Sequence, residues 1–338
     1  MQAFALFRLP HEDKIYFIKG QISLDLEVLD FGTLQSCFVI SPFAQKNRAF
    51  IIMPDEMNEW QGESFDLFYH QDSQESGTES QYIHYVNHAI ETLTTHLDIH
   101  KFVSARVKNL SKPDTFNVFD LFRNLSQNYP SAFTYLVSSE ITGTWIGASP
   151  ELLLHHQTDT IKTVALAGTL SNDNTNSWTE KEITEQKWVE DFIIDTLKPF
   201  SENYTQSNAE TIVSGNLKHL KTEFSLTINN SCNKVSDVLQ KLNPTPAVCG
   251  LPQDIAYHYI LDHEGFERQF YSGFVGVVNH NCQSHLYVNI RCAQVFDKQI
   301  NLYAGAGITL SSIPEKEWIE TENKMEAIGR FILPNGRH

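Results

Sequence analysis

The sequence lacks the short motifs that identify several large enzyme classes. It has no GxxxxGK[ST] and no GxGxxG motif, so nothing in it indicates nucleotide binding. It has no GxSxG nucleophile motif and no HExxH zinc motif. No stretch approaches about 18 apolar residues, and no basic N-terminal region precedes a long apolar run, so we expect neither a transmembrane helix nor a secretory signal.

Cysteine is scarce, and its spacing is uninformative. The chain has five cysteines, an odd number, and none of them forms a CxxC pair. This pattern argues against a structural zinc site and favours a reduced, cytoplasmic compartment.

Basic residues are outnumbered by acidic ones. There are 25 Lys and Arg against 41 Asp and Glu, and the formal net charge is −16. Such a charge argues against general affinity for nucleic acid or an anionic membrane. An anionic substrate must therefore be captured by local positive groups.

The 338 residues and 41% hydrophobic content support a sizeable core. Strand-like and helix-like segments alternate without a strict βαβ rhythm, so we expect an α+β fold with large, mostly antiparallel sheets. Polar segments 54–63 and 71–81 are expected to be loops. Helical spacing is predicted within 82–100, 116–130, 179–198, 234–242 and 313–332.

Two of these predicted helices carry acids on their apolar side. In each of them, an i, i+3 pair of carboxylates continues the apolar stripe: Glu182 with Glu185, and Glu317 with Glu320. An unpaired buried carboxylate is costly, and four inward carboxylates suit a Mg²⁺ site for an anionic substrate. The alternative is that these acids lie on the rim of each amphipathic face and are solvated.

Other candidate residues are ambiguous by pattern alone. Small residues Ala304–Gly307 end a strand, where a ligand carboxylate can approach the backbone, although most such segments are simple turns. Arg291 lies on the run HLYVNIRCAQVF and suits a bidentate carboxylate contact, or else belongs to a solvated strand face. Lys101 begins a strand, where most lysines are on the surface. Glu151 precedes an apolar run that would raise its pKa, or else is an ordinary edge residue, and His219 either contacts a ligand or packs.

Taken together, several blocks resemble the chorismate-utilising enzymes, the family of anthranilate synthase large subunits, aminodeoxychorismate synthase, isochorismate synthase and salicylate synthase. The blocks are KFVSAR, IGASPELLL, ALAGT, EKEITEQKWV, KHLKT, NPTPAVCG, FYSGFVG, IRCAQV, LYAGAGI and EWIETENK, in family order. The resemblance implies an anthranilate synthase component I-like sandwich of sheets with helices outside. It implies one chorismate-binding domain over 1–338, with a family core over 80–338 and a shortened, weakly matching part over 1–80.

Three positions make the chain similar to isochorismate synthases within this family. A lysine at the position of Lys101 resembles the members that add water to chorismate. Ala167 differs from the lysine by which aminodeoxychorismate synthase forms a covalent intermediate. Ala247 resembles isochorismate synthase, whereas salicylate synthases usually have threonine.

The chain also departs from the family pattern at three positions. Thr184 and Gln186 flank Glu185, where histidines are common in the family. Tyr271 stands where siderophore-pathway isochorismate synthases commonly have phenylalanine, and this change points toward salicylate synthase.

The resemblance also implies roles for individual residues. Lys101, as a neutral amine, would deprotonate the water that attacks C2 of chorismate, and Glu151, as a neutral acid, would protonate the departing C4 hydroxyl. Mg²⁺ would be held by Glu185 and Glu320, with Glu182 and Glu317 in support. The residues expected to contact substrate are Thr169, His219, Ala247, Tyr271, Arg291, Gly305, Ala306, Gly307 and Lys324.

The expected function is thus a Mg²⁺-dependent isochorismate synthase with no redox cofactor. The alternatives are a salicylate synthase, which also eliminates pyruvate, and a non-catalytic chorismate-binding subunit. We expect the pathway served to be menaquinone biosynthesis rather than siderophore or salicylate formation, because no carrier or siderophore-associated domain is fused. The expected partner is the small molecule chorismate, with no nucleic acid or membrane, and the expected state is a monomer or weak homodimer.

Overall fold

The computed structural model describes residues 1–25, 29–32, 34–46, 48–71, 75–171, 177–200, 203–214, 217–228 and 232–332. In chain order the strands are β1 Gln2–Arg8, β2 Tyr16–Asp25, β3 Cys37–Ser41, β4 Ala49–Glu59, β5 Lys101–Ser111, β6 Phe133–Ser139, β7 Gly143–Ser149, β8 Leu152–Gln157, β9 Thr160–Ser171, β10 Tyr204–Gln206, β11 Glu210–Ser214, β12 Leu217–Thr227, β13 Gly250–Leu251, β14 Phe274–His280, β15 Gln283–Val288, β16 Cys292–Val295 and β17 Gln299–Ile308. The helices are α1 Glu79–Thr95, α2 Val118–Asn128, α3 Glu180–Leu197, α4 Cys232–Leu242, α5 Gln253–His263 and α6 Pro314–Gly329.

Local sequence signals fix where several helices begin. Thr78 and Gln81 form a reciprocal capping box at α1, and the Asn117 side chain accepts hydrogen bonds from the first backbone amides of α2. Pro314 is the first residue of α6, where its missing N–H costs no helical hydrogen bond. Among the described residues, no helix is both long and apolar enough to span a membrane.

The strands form one continuous antiparallel ladder. Strands β10 and β11 pair with β12, and the order then runs β12, β9, β8, β15, β14, β3, β4, β2, β1, β6, β7, β16, β17, β5 and β13. Every pairing within the described ranges is antiparallel, as the sequence predicted. Several neighbours, such as β5 and β17, are far apart in the chain, so the ladder fixes the relative positions of distant segments.

The ladder folds over itself into a sandwich. Phe133 of β6 stacks on Tyr287 of β15 at 4.7 Å between ring centroids, although these strands are not neighbours in the ladder. Phe38 of β3 and Tyr135 of β6 also meet across the interior, with tilted rings whose centroids are 6.3 Å apart. The apolar interior draws on both halves. Each fully buried aromatic side chain there contributes about 1.5–3 kcal/mol through burial.

The helices cover the outer faces of the sandwich. Helices α3 and α4 pack on the side of β8, β9 and β12, and α2 and α6 pack on the side of β6, β7, β16 and β17. Helices α1 and α5 form a smaller apolar cluster with β5. The expected sandwich with external helices is confirmed, and it places α3 and α6 on either side of the ends of β5 and β17.

The structure differs from the expectation in its local detail. Residues 54–59 continue β4 instead of forming a loop, because Asp55 is the extra residue of a bulge opposite Gly20. A Cβ on Gly20 would lie 1.9 Å from the Met53 carbonyl oxygen, so only glycine fits there. Helix α1 begins at Glu79, inside the expected loop 71–81, of which 72–74 lie outside the described residues. Helix α5 has no counterpart among the predicted helices.

Candidate functional site

One cavity brings together most of the residues predicted to carry function. It lies between α3 and α6 at the ends of β5, β9, β12 and β17, and both charged and apolar side chains line it, as in sites for small-molecule ligands. The predicted residues that line it are Lys101, Glu151, Glu182, Glu185, His219, Ala247, Tyr271, Arg291, Gly305, Gly307, Glu320 and Lys324.

Three predicted residues do not line this cavity. Ala306 is fully buried on β17 between the two lining glycines. Glu317 is 2% exposed and contacts the cavity through Lys181, which lines it. Thr169 belongs to β9, and its side chain lies outside the described part of the chain.

Lys101 is buried in the cavity, contrary to the usual surface position of a lysine. It begins β5, where β13 pairs on one side and β17 continues on the other. Its side chain passes directly over Gly307, and its Nζ lies 3.7 Å from Glu185 Oε2. A Cβ on Gly307 would lie only 2.6 Å from Lys101 Cε. The glycine is therefore what allows the lysine to reach into the cavity.

Glu151 occupies the short connection between β7 and β8 and is also buried. Its backbone is fixed by the Ser149 hydroxyl and by Val288, and the Thr245 hydroxyl donates to its Oε1 at 3.3 Å. Burial raises the pKa of the Glu151 carboxyl to about 7, although Thr245 and the nearby lysines oppose this shift. Near neutral pH this carboxyl therefore exists in both protonated and ionised forms, as a general acid requires.

Helices α3 and α6 direct their acids at each other across the cavity, as the i, i+3 spacing predicted. Glu185 and Glu320 both line it, and Glu317 is almost completely buried, so these acids are not a solvated rim. Glu182 also caps α3, because its carboxylate accepts hydrogen bonds from the Thr179 backbone N–H and hydroxyl.

Glu185, Glu317 and Glu320, the inward acids that do not cap a helix, each have a lysine partner. Besides the contact of Lys101 with Glu185, Lys324 pairs with Glu320 at 2.7 Å and Lys181 pairs with Glu317 at 3.1 Å. With these pairs in place, no three acidic, histidine or cysteine side chains of the described residues form a preformed metal cluster.

The donor set nevertheless fits a hard divalent cation. Carboxylate oxygens are the ligands that Mg²⁺ prefers, and the charges of three of the acids already act on one ammonium, that of Lys181. Burial by itself would lower the pKa of the Lys181 ammonium. The negative charges of Glu317, Glu185 and Glu320 have the larger effect, so the pKa is raised. The Lys324 charge likewise offsets burial and lowers the pKa of Glu320.

The predicted strand through Arg291 is wrong. Strand β15 ends at Val288 and β16 begins at Cys292, and Arg291 between them adopts the left-handed conformation with φ of 50°. Its side chain lies in the cavity wall, not on a solvated strand face, and desolvation there lowers its pKa. Its guanidinium donates to the Lys324 carbonyl oxygen at 3.2 Å. Among the described residues it forms no ion pair, so it can bind an anion.

His219 lies in the opposite wall, on β12. Burial, reinforced by Arg291 and Lys324, lowers the pKa of its ring to about 3, so the imidazole is neutral at physiological pH. The register of β12 against β9 shifts just after His219, opposite Gly168. Gly168 has a φ of 57° and lies against Glu182, so a side chain does not fit at this position. A neutral imidazole in this position can hydrogen-bond a hydroxyl group without adding charge.

Gln186 stabilises this irregular stretch of β9. Its side chain accepts a hydrogen bond from the Ala167 backbone N–H at 2.9 Å and donates to the Ala165 carbonyl and the Thr222 hydroxyl. Gln186 is buried, and the hydrogen bonds of its amide are satisfied.

Gly305 and Gly307 of β17 form part of another wall of the cavity. A Cβ on Gly305 would lie 3.0 Å from the hydroxyl oxygen of Tyr271, which stacks on Tyr303 at 5.6 Å. The Gly305 carbonyl accepts a hydrogen bond from the Lys324 ammonium at 2.8 Å. The segment is thus part of a strand rather than a simple turn, and its backbone is exposed to the cavity.

Sequence reasoning missed Lys181 and Thr245. Lys181 precedes Glu185 by one helical turn, and this i, i+4 spacing could have placed it on the same face. Thr245, in NPTPAV, contacts Glu151 from a different part of the chain, and no local pattern signals that contact.

Comparison with known proteins identifies the family of the chain. The sequence profile described as chorismate binding enzyme matches residues 45–333. Isochorismate synthase DhbC of Bacillus subtilis (strain 168) is 29% identical over 317 residues, which cover 86% of this chain and 79% of that protein. Isochorismate synthase MenF of Escherichia coli (strain K12) is 30% identical over 247 residues, which cover 70% of this chain and 56% of that protein.

Solved structures share the fold. The structure of MenF, the menaquinone-specific isochorismate synthase from Escherichia coli, superimposes with a TM-score of 0.81 at 20% identity and covers 97% of this chain and 88% of that one. Anthranilate synthase component I from Streptococcus pneumoniae TIGR4 superimposes with a TM-score of 0.70 at 18% identity, covering 86% and 80%. The expected anthranilate synthase component I-like fold is confirmed, and the chain belongs to the chorismate binding enzyme family.

Proposed function

We propose that this protein is a Mg²⁺-dependent isochorismate synthase that converts chorismate to isochorismate for menaquinone biosynthesis. The observation that carries the proposal is that one cavity contains two buried ionisable groups, Lys101 and Glu151. The pKa of the Glu151 carboxyl is about 7. Ala167 and Ala247, the other two positions that distinguish isochorismate synthases by resemblance, line the same cavity.

Glu151 is proposed as the general acid. Its carboxyl protonates the C4 hydroxyl of chorismate as that group leaves as water, and the Thr245 hydroxyl orients Oε1. Because its pKa is about 7, a large fraction carries the required proton at neutral pH. A general acid of this kind contributes about 10²–10⁴ in rate.

Lys101 is proposed as the general base. In its neutral form the amine takes a proton from the water that adds at C2, on the other side of the ring from Glu151. The Lys101 side chain has little freedom, because it is buried and packs on Gly307. That restriction supports a role that depends on accurate placement of the amine.

Two cations are proposed to hold the carboxylates of chorismate. Arg291, in the cavity wall and without an ion pair among the described residues, binds the enolpyruvyl carboxylate, together with the backbone of Gly305–Gly307. Lys324 releases Glu320 and takes part in binding the ring carboxylate. The neutral His219 ring contacts the substrate near C4.

Glu185 and Glu320 are proposed to hold Mg²⁺, with Glu182 and Glu317 in support. When bound, Mg²⁺ would supply positive charge that neutralises the ring carboxylate. The facing arrangement of α3 and α6 supports this assignment, because both helices contribute acids that line the cavity directly.

The activity is tested by incubating the protein with chorismate and Mg²⁺ and separating the products by chromatography. Isochorismate without salicylate supports the proposal. Salicylate with pyruvate would make the protein a salicylate synthase. Binding of chorismate without any turnover would leave a non-catalytic chorismate-binding protein. A Lys101→Ala variant serves as the matched negative control.

The pathway needs a separate test, because the relatives include both a DhbC and a menaquinone-specific MenF. Expression of the chain in a strain without isochorismate synthase should restore menaquinone. Deletion in the native host should remove menaquinone. Unchanged menaquinone with loss of a catechol siderophore would assign the chain to siderophore biosynthesis.

A further inference from the structure

Lys181 has no part in the chemistry proposed above, yet it lies at the acidic side of the cavity. It belongs to the first turn of α3 and lines the cavity beside Glu182 and Glu185. Its ammonium reaches across to α6 and donates to Glu317 Oε1 at 3.1 Å. Lys181 is therefore a cation that joins the two acidic helices.

The partner of Lys181 is a carboxylate with almost no access to water. The Glu317 side chain is 3% exposed, whereas exposed ion pairs keep both partners solvated. A carboxylate buried to this extent needs a nearby cation. The charges of Glu185 and Glu320 also act on the Lys181 ammonium, so one lysine is influenced by three of the four acids assigned to the metal.

We propose that Lys181 is the resident counter-cation of these acids and sets the affinity of the site for divalent metal. In the metal-free protein its ammonium neutralises Glu317 and adds positive charge near Glu185 and Glu320, whose direct contacts are with Lys101 and Lys324. An entering divalent cation must displace this ammonium, which is attached to the same chain and so competes at high effective concentration. The inference rests on the proposed Mg²⁺ site and adds a residue that tunes it.

A purely structural role makes the opposite prediction. If the Lys181–Glu317 contact served only to hold α3 against α6, removing it would let the helices separate and would weaken metal binding. If Lys181 is a competing cation, removing its charge strengthens metal binding. The direction of the change in affinity therefore separates the two roles.

The test measures Mn²⁺ binding to the substrate-free protein, using electron paramagnetic resonance to quantify free Mn²⁺. In Lys181→Gln and Lys181→Met the dissociation constant should fall about tenfold, the change that corresponds to one unit of log K for a nearby charge. Lys181→Arg keeps the charge and should bind like the wild type. The matched control is Lys316→Gln, which removes one charge from an exposed position of α6 next to Glu317.

Unchanged or weaker Mn²⁺ binding in the neutral Lys181 variants would overturn the inference. Equal tightening in Lys316→Gln would also overturn it, because the effect would then come from overall charge. If the wild type binds no Mn²⁺ even with chorismate present, the proposed metal site itself fails, which is a different outcome.

A measurement on the wild type guards against neutral variants that do not fold. Reductive methylation with ¹³C-formaldehyde gives each lysine a nuclear magnetic resonance signal, and the Lys181 signal is assigned by its absence in Lys181→Arg. Addition of diamagnetic Mg²⁺ should shift this signal as the ammonium leaves Glu317. A Lys181 signal that stays in place while Mg²⁺ binds would contradict the displacement.

Discussion

Replacement of Gly307 by alanine tests whether the position of Lys101 controls catalysis. The new Cβ would lie 2.6 Å from Lys101 Cε and 3.1 Å from its Nζ. Carbon atoms that are not bonded prefer separations of about 3.5–4.0 Å, so the lysine must retreat by about 1 Å. The backbone on either side is fixed by the β5–β17 and β5–β13 pairings. The end of the side chain, which carries the reacting amine, must therefore move.

The expected loss in Gly307→Ala is about 100-fold in kcat, since a misplacement of about 1 Å costs about 10² in rate. This corresponds to about 2.7 kcal/mol in activation free energy. Chorismate affinity should change little, because the proposed anion contacts of Arg291, Lys324 and the Gly305–Gly307 backbone are kept in this variant. Some loss of stability, about 1–3 kcal/mol, is expected from overpacking.

The assay compares isochorismate formation under single-turnover conditions with chorismate binding by calorimetry. Gly77→Ala is the matched control, because no atom lies within 4 Å of its new Cβ, and it should behave like the wild type. If Gly307→Ala kept kcat within about twofold of Gly77→Ala while folding normally, the reasoning about Lys101 would be refuted.

Four further predictions address the acid, the metal, the nucleophile and the anion site. Glu151 must be protonated to act, and its pKa is about 7, so kcat/KM should fall as the pH rises through about 7. The residual activity of Glu151→Gln should not show this fall at alkaline pH. Excess chelator should abolish turnover, and Glu185→Gln should remove most of it even in excess Mg²⁺; full activity in chelator would exclude the metal. Supplying ammonium should yield no anthranilate or aminodeoxychorismate, since Lys101 occupies the water-activating position and Ala167 cannot form a covalent adduct; either product in the chromatogram would contradict this. Arg291→Ala should mainly raise KM, and a fall in kcat alone would assign the guanidinium to chemistry instead of binding.

The two acidic helices were predictable because the positions of their acids depend only on local periodicity. A period of 3.6 residues decides which side chains share a face, so the inward direction of Glu185 and Glu320 follows from the sequence. The same period cannot show which acid on one helix forms an ion pair with a lysine on the other helix. The pairing of Glu317 with Lys181 depends on the distance between α3 and α6, which the sheet sets.

The break at Arg291 was not predictable, because its cause lies in other strands. The run HLYVNIRCAQVF has continuous strand propensity, and nothing local excludes an extended Arg291. In the structure the Ala148 N–H donates to the Arg291 carbonyl oxygen, and that oxygen lies 3.2 Å from where a Cβ on Gly147 would be. The space left by a glycine in β7 thus admits the unusual backbone conformation that directs Arg291 into the cavity.

The order of strands in the ladder has a consequence for how the chain folds. Strand β17 lies between β16 and β5, and it pairs along its whole length with β5, a strand far earlier in the sequence. Contacts between distant segments must wait for long loops to close, which slows folding. Gly307 and α6 follow nearly all the other strands in the chain. In a nascent chain, Lys101 of β5, the proposed base, is therefore synthesised long before the segments that enclose it. During synthesis, the exposed edge of β5 is therefore the surface that we expect chaperones to protect.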